Sequence, residues 1–349
     1  MSERLAPARL APGFVTRIWG ARSLAPLFDQ PVGEKPIGEV WLTGEQCRFD
    51  TGEFAGQTLA EAWPEMPSRW TGTRLRGLPH IPLLVKFIFP EDKLSVQVHP
   101  NDDQARALEG SSAVGKTEMW YAVSARDDAE LRLGLESGVT ADGFRRAIDN
   151  GTAESCLRRI GVRAGDSFFV PAGTAHTIGP GMVLCEVQQH SDITYRVFDY
   201  NRVQVDGTPR PLHIEKALAV MNFGVSSGGR IEPAKIRRRA LLKTCLAACP
   251  YFATERWDFS ERIAGSTSAD CFELMIVISG RGRIESGEDS AAYKPGEVWM
   301  LPAGLGAYRL APDSATSLLR TFVPALDEYT LELAAQGVDK TARSRVVHA

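Results

Sequence analysis

The chain is predicted to be mainly β, folded as two β-barrel or jelly-roll units with a helical insertion in the first. Three observations carry this. Short apolar runs bounded by Gly and Pro recur along the chain, the texture of a sandwich or barrel core. Helical periodicity is confined to two short segments. One stretch is also repeated: residues 163–173 read RAGDSFFVPAG, and residues 294–304 read KPGEVWMLPAG. Basic residue, Gly, acidic residue, apolar run and Pro-Ala-Gly fall at matching places.

Residues 82–89, 119–123, 167–170 and 183–187 read as strands, apolar throughout or nearly so. Residues 93–99 read as another. Successive strand side chains point to opposite faces, so Gln97 and His99 share one face and Val96 and Val98 the other. Residues 140–151 read as a helix. Thr140 can cap its start, Phe144, Ala147 and Ile148 share a face, and Asn150-Gly151 supplies a stop. A second helix is expected over 213–222, where Ile214, Leu218 and Met221 recur at helical spacing.

A second echo supports duplication: residues 118–124 resemble residues 273–279. The two echoes lie further apart in the first copy, and the helix from Thr140 fills the difference. The expected division is a first unit over 1–224 and a second over 230–349, with the boundary at the Gly/Ser stretch 224–229. The copies differ after Pro-Ala-Gly. The first continues to His176, and the second has Ala307 there. The second copy is also expected to lack a strand equivalent to the one carrying Gln97 and His99. Gly280-Arg281-Gly282-Arg283 reads as a hairpin turn of the second unit rather than a phosphate loop.

Composition narrows the function classes. A formal net charge of −3 gives no electrostatic case for nucleic acid or an anionic membrane. No apolar run approaches the roughly 18 residues of a membrane helix. Residues 1–7 lack the apolar core of a signal peptide. The expectation is a cytoplasmic protein with a small-molecule partner and an oligomeric state left open. Cys47, Cys156, Cys185, Cys245, Cys249 and Cys271 form no CxxC pairs, so free structural thiols are expected rather than a zinc ribbon.

The first copy offers Gln97, His99, Glu118 and His176. On its own, the Gln97/His99 pair equally describes a polar strand face. Together, two imidazoles, a carboxylate and an amide oxygen suit a divalent ion, zinc first, with Mn, Fe or Co as alternatives. Three or four protein donors leave room for water or substrate, as catalytic sites do. Only the first unit carries the set.

Several stretches then converge on one family. They are Arg17 to Gly20, Ile37 to Trp41, Leu83 to Lys86, Ser95 to Asp102, Gly115 to Tyr121, Pro171 to His176, Ser191 to Tyr200 and Leu212 to Leu218. Together they resemble the type I mannose-6-phosphate isomerases (phosphomannose isomerases) of the short bacterial form, within the cupin superfamily. The resemblance covers most of the first two-thirds, and the final third matches less specifically as a cupin repeat. It implies a double cupin that binds one zinc ion per chain. The implied reaction interconverts D-mannose 6-phosphate and D-fructose 6-phosphate through an enediol. Carried over by position, the metal ligands are Gln97, His99, Glu118 and His176. Arg196 falls on the active-site arginine, Lys86 and Lys116 on active-site lysines, and Asp192 on a pocket acid.

Each residue also has a plainer reading. Lys86 could reach from its apolar strand to the surface, and Lys116 could be an edge-strand charge. Arg196 could form a surface ion pair with Asp192 or Asp199, and His176 could be a hydrogen-bonded turn histidine. The proton-transferring base stays open among Lys116, Asp192, Glu186 and a metal-bound water. Glu186 could instead steady a ligand histidine. Phosphate contacts stay open among Arg196, Lys86 and loop hydroxyls. Two rival functions make different demands. A bicupin dioxygenase would place His-x-His where this chain has Gln97-Val98-His99. A non-catalytic sugar-binding cupin would have no need of the whole ligand set.

Overall fold

Strand Leu83–Ile88 is buried at all six positions. Ile88 faces a core between two sheets, while Val85 and Phe87 face a different core on the other side. Burial on both faces explains why this strand reads as a nearly continuous apolar run rather than an alternating one. The computed structural model describes residues 5–204, 206–224 and 228–348. Val225, Ser226 and Ser227 of the expected boundary lie outside the described residues, as do Met1 to Arg4 of the N-terminal segment.

Among the described residues the strands form four antiparallel sheets, and the fold is mainly β. One seven-stranded sheet runs in the order Gly229–Arg230, Ser167–Val170, Glu118–Ala125, Met182–Gln189, Leu83–Ile88, Ile37–Trp41, Gly13–Ala21. A five-stranded sheet pairs Tyr195–Phe198, Val96–Val98, His176–Ile178, Glu130–Leu135 and Leu157–Gly161. Trp120, Phe168, Leu133 and Ile178 pack between them. The C-terminal part repeats the scheme, with a seven-stranded sheet and a four-stranded one around Met275, Ile284, Trp299 and Leu310. A third core, including Val85, Phe87, Met119 and Val187 with Leu246, Phe252, Leu274 and Met300, joins the outer faces of the two seven-stranded sheets.

Helix Ala141–Asp149 starts where the sequence places it, with Thr140 Oγ1 accepting from the Gly143 N–H at 3.1 Å. It lies between strands Glu130–Leu135 and Leu157–Gly161. Phe144 and Ile148 join Ala217 and Val220 of helix Ile214–Val220 against Val96, Val98 and Val197. The two helices thus cover the back of the strand that presents Gln97.

Three expectations change. The strand expected over 93–99 is limited to Val96–Val98, because only these residues find cross-strand partners, and His99 lies just beyond it. The Gly280–Arg283 stretch is not a hairpin. Strand Glu273–Ser279 and strand Gly282–Ser286 belong to different sheets, and Gly280, at φ 86°, turns the chain between them. The second unit does have the strand expected to be missing, Ile263–Ser266, but it carries no ligand-type residue. The N-terminal strand Ala8–Leu10 pairs with Val298–Leu301, so the first residues described complete the C-terminal sheet. All six cysteines are free and five are buried. No described helix is long and apolar enough to cross a membrane.

Candidate active site

Register builds the site. Across the five-stranded sheet, Arg196 pairs with Gln97 and Gln97 with His176, so three candidate residues lie in one row. Across the facing sheet, Trp120 pairs with Glu186 and Glu186 with Lys86. Glu118 precedes Trp120 by two, so both point to the same face.

His99, Glu118 and His176 offer ligand atoms that all lie within 4.8 Å of one another, and all three are buried. Each imidazole is oriented by the backbone. His99 Nδ1 donates to the Ile193 carbonyl at 2.8 Å, and His176 Nδ1 to the Thr174 carbonyl at 3.0 Å. Both Nε2 atoms therefore face the carboxylate, at 3.8 Å from Glu118 Oε2 and 3.5 Å from Glu118 Oε1. Trp120 packs edge-on against His176 at 5.2 Å between centroids. The Gln97 amide lies 3.2 Å from His176 Nε2. Its oxygen accepts from Ser95 Oγ at 3.1 Å, and an amide rotation would turn that oxygen inward.

The electrostatics favour a cation here. Burial holds both imidazoles neutral. It pushes His176 down to about 4 and, aided by the Lys116 charge, His99 well below its ordinary range. Neutral imidazoles are the form that binds metal. Burial and the Glu186 charge push the Glu118 carboxyl up, against Lys116 and Lys86. Glu118 Oε1 is buried and accepts no hydrogen bond among the described residues. A buried carboxylate that faces two neutral imidazole nitrogens and has one oxygen without a donor fits a divalent ion.

Lys116 sits just before strand Glu118–Ala125. Its ammonium donates to Glu118 Oε2 and to His99 Nε2, the latter at 3.1 Å. Gly115 sets its position. A Cβ at Gly115 would stand 2.6 Å from the Asn101 carbonyl carbon and from the Asp102 nitrogen, so the chain approaches the cap of helix Asp102–Glu109 closely. Lys86 does not reach the surface. Its ammonium lies 3.0 Å from Glu186 Oε1 and 3.8 Å from Glu39 Oε1. Burial works against its charge, but Glu186, Glu39 and Asp192 more than offset that and keep it protonated. Among the described residues Glu186 makes no hydrogen bond to either histidine. It takes a hydrogen bond from Trp120 Nε1 at 2.8 Å, and Lys116 and Lys86 hold its carboxyl at about 2 despite burial.

Lys86, Gln97, Lys116, Asp192 and Arg196 line one cavity of about 410 Å³, with Glu186 on its wall. Asp192 is exposed. Among the described residues no carboxylate ion-pairs with Arg196. Its Nε donates to Ser95 Oγ at 3.2 Å and its Nη1 to the Pro211 carbonyl at 3.0 Å. The sequence reading missed Arg17, Glu39, Arg210 and His213, which line the same cavity. Glu39 was visible as a lone carboxylate in an apolar strand. Arg210 carried no signal.

The catalytic-domain model of type I phosphomannose isomerases matches residues 8–145, and the cupin-domain model of mannose-6-phosphate isomerases matches residues 242–320. The mannose-6-phosphate isomerase ManA of Bacillus subtilis is 36% identical over 309 residues, 87% of this chain and 95% of its own. The chain belongs to the mannose-6-phosphate isomerase family. A mannose-6-phosphate isomerase of Streptococcus mutans is 34% identical over 85% of this chain and 92% of its own. The crystal structure of the B. subtilis mannose 6-phosphate isomerase aligns with a TM-score of 0.83 at 29% identity, covering 90% of this chain and 99% of that one.

The part matched by the family's cupin-domain model lacks the ligand set. Ser266 pairs with Ala307 where the first unit pairs Gln97 with His176. Glu273 stands in the place of Glu118, but Arg320 fills the space before it. The Arg320 guanidinium donates to Glu273 at 2.8 and 2.6 Å and to Glu255 at 3.0 Å. The register puts Glu255 opposite Arg320 as Lys86 lies opposite Glu186, with the charges exchanged.

Proposed function

We propose that this chain interconverts D-mannose 6-phosphate and D-fructose 6-phosphate with one divalent ion, zinc by its donor set, held by Gln97, His99, Glu118 and His176. The observation that carries the reading is the buried His99–Glu118–His176 cluster, which Gln97 and Lys116 join to a cavity also lined by Lys86 and Arg196, in a chain of this family. When bound, the ion supplies Lewis-acid polarisation of the substrate oxygens. Everything else falls to side chains.

The reaction moves a proton between C2 and C1, and negative charge develops on oxygen as the enediolate forms. Arg196 is permanently charged and has no carboxylate ion pair among the described residues, so it supplies one fixed cation to the substrate. Lys86, kept protonated by Glu186 and Glu39, supplies a second fixed cation. Lys116 and Asp192 are the groups proposed to exchange the proton. They are separable, because Lys116→Met and Asp192→Asn should differ in how far kcat falls at unchanged KM. The fold is read as a double cupin. The first cupin, over 1–224, carries the helical insertion 141–149 and the metal, and the second, over 230–349, has none. A cytoplasmic setting belongs to the same reading.

Metal analysis of two variants tests the roles. His176→Ala is expected to lose the metal and turnover together. Arg196→Ala is expected to keep one metal per chain and lose turnover. Metal loss in Arg196→Ala would mean that its role is misassigned.

A further inference from the structure

The cavity has a buried floor and an open mouth, and the two ends differ in charge balance. At the floor each ammonium has a carboxylate: Lys86 has Glu186 and Glu39, and Lys116 has Glu118. Nothing there is left over for a dianion. The mouth is different. Arg196 has no carboxylate partner among the described residues, and its guanidinium is fixed by Ser95 and Pro211. Arg17, with a side chain 31% exposed, pairs with Glu39, but Lys86 and Trp41 Nε1 already draw on that carboxylate. Arg210 pairs with Asp199, which Arg202 also engages. Exposed Asp192 is the one other acid that lines the cavity.

We propose that Arg17, Arg196 and Arg210 form an anion subsite at this mouth that takes the phosphate of the hexose phosphate. This rests on the sugar-phosphate isomerase reading and assigns the contact that the sequence left open. Guanidinium groups suit a phosphate because their planar forks donate two parallel hydrogen bonds. They are also held in place. Asp199 braces Arg210, and the His213 N–H bonds the Arg196 carbonyl at 2.7 Å, tying the 210–213 segment back to the strand that carries Arg196. Burial and then the charges of Arg210, Arg202 and Arg17 all work against the protonated form of Arg196, with Asp199 the opposing charge. A bound dianion relieves that repulsion. The placement also orients the sugar. C1 and C2 point to the end lined by Gln97 and Lys116, which touch His176 and His99, and the C6 phosphate to the mouth.

The test measures binding and turnover separately on the metal-loaded full-length chain. Binding of mannose 6-phosphate and of inorganic phosphate is read by calorimetry, with Arg17→Met and Arg210→Gln as variants. Each variant is expected to weaken both ligands by roughly 10- to 100-fold, the effect of losing a charged hydrogen-bonding partner. KM should rise in parallel, kcat should stay within about threefold, and metal content should not change. Arg17→Lys should recover part of the affinity. Unchanged phosphate affinity and KM in both variants would overturn the subsite, as would a fall in kcat at constant KM. If the wild-type chain binds both ligands through these arginines but turns nothing over, the isomerase reading fails and the subsite stands. The Arg17 variant is the safer probe of the two, since Glu39 keeps Lys86 and Trp41 when Arg17 is removed.

Discussion

Replacing Arg320 by leucine should destabilise the second unit more than almost any other single change there. Arg320 makes three charged hydrogen bonds, two to Glu273 and one to Glu255, and both carboxylates are buried. Without it Glu255 keeps Lys243 at 3.1 Å and the donors Trp257 and Tyr329. Among the described residues Glu273 keeps only the Tyr308 hydroxyl, at 3.4 Å. Removing one member of a buried ion pair typically costs about 3–5 kcal/mol, because the partner charge is left without compensation. At about 4 °C per kcal/mol for a unit of this size, the melting midpoint should fall by about 12–20 °C. Thermal unfolding followed by tryptophan fluorescence includes this unit, since two of the seven tryptophans, Trp257 and Trp299, lie in its core. Glu273→Gln added to Arg320→Leu should restore part of the loss, because it removes the stranded charge. A drop of less than about 3 °C would refute the argument that Arg320 neutralises these two carboxylates.

Three further outcomes are expected. Gly115→Ala forces a Cβ into the Asn101–Asp102 backbone and shifts Lys116, so kcat should fall roughly 10- to 100-fold while the chain stays folded; steady-state kinetics and circular dichroism check both halves. Burial raises the Glu255 carboxyl, but Arg320 and Lys243 more than offset it and hold it at about 2 against an ordinary 4.5. The folded value lies below the unfolded one, so its stabilisation is complete above about pH 4.5 and is lost as pH falls towards 2. The melting midpoint of the wild type should therefore drop across that window, and that of Glu255→Gln should drop less. Thr140→Ala removes the cap of helix Ala141–Asp149 and should cost about 1 kcal/mol in urea unfolding, with little effect on turnover.

The sequence exposed the cluster of His99, Glu118 and His176 with Gln97 beside it because these residues sit in short local patterns. Gln97 and His99 are two apart, and His176 follows a turn whose second copy reads Ala307. It also exposed the helix from Thr140, whose cap and stop are both local. What it hid depends on register and on distant contacts. The Lys86–Glu186 pairing comes from two strands about a hundred residues apart in sequence, so a lone lysine in an apolar run could not be told from a snorkelling one. Strand Ile263–Ser266 was missed because it contains Ala264 and Gly265, which carry no strand signal. The turn at Gly280 was taken for a hairpin, since nothing in a glycine marks whether the next strand stays in the same sheet. Arg17 and Arg210 meet at the cavity mouth from opposite ends of the first unit, a convergence that only the fold makes visible.

The central claim is tested most directly by a coupled assay for fructose 6-phosphate formed from mannose 6-phosphate. It is run on the protein as purified, after chelation, and after zinc is returned. Turnover is expected with about one metal per chain, as are its loss on chelation and its recovery with zinc. Absence of turnover in zinc-loaded, folded protein would contradict it.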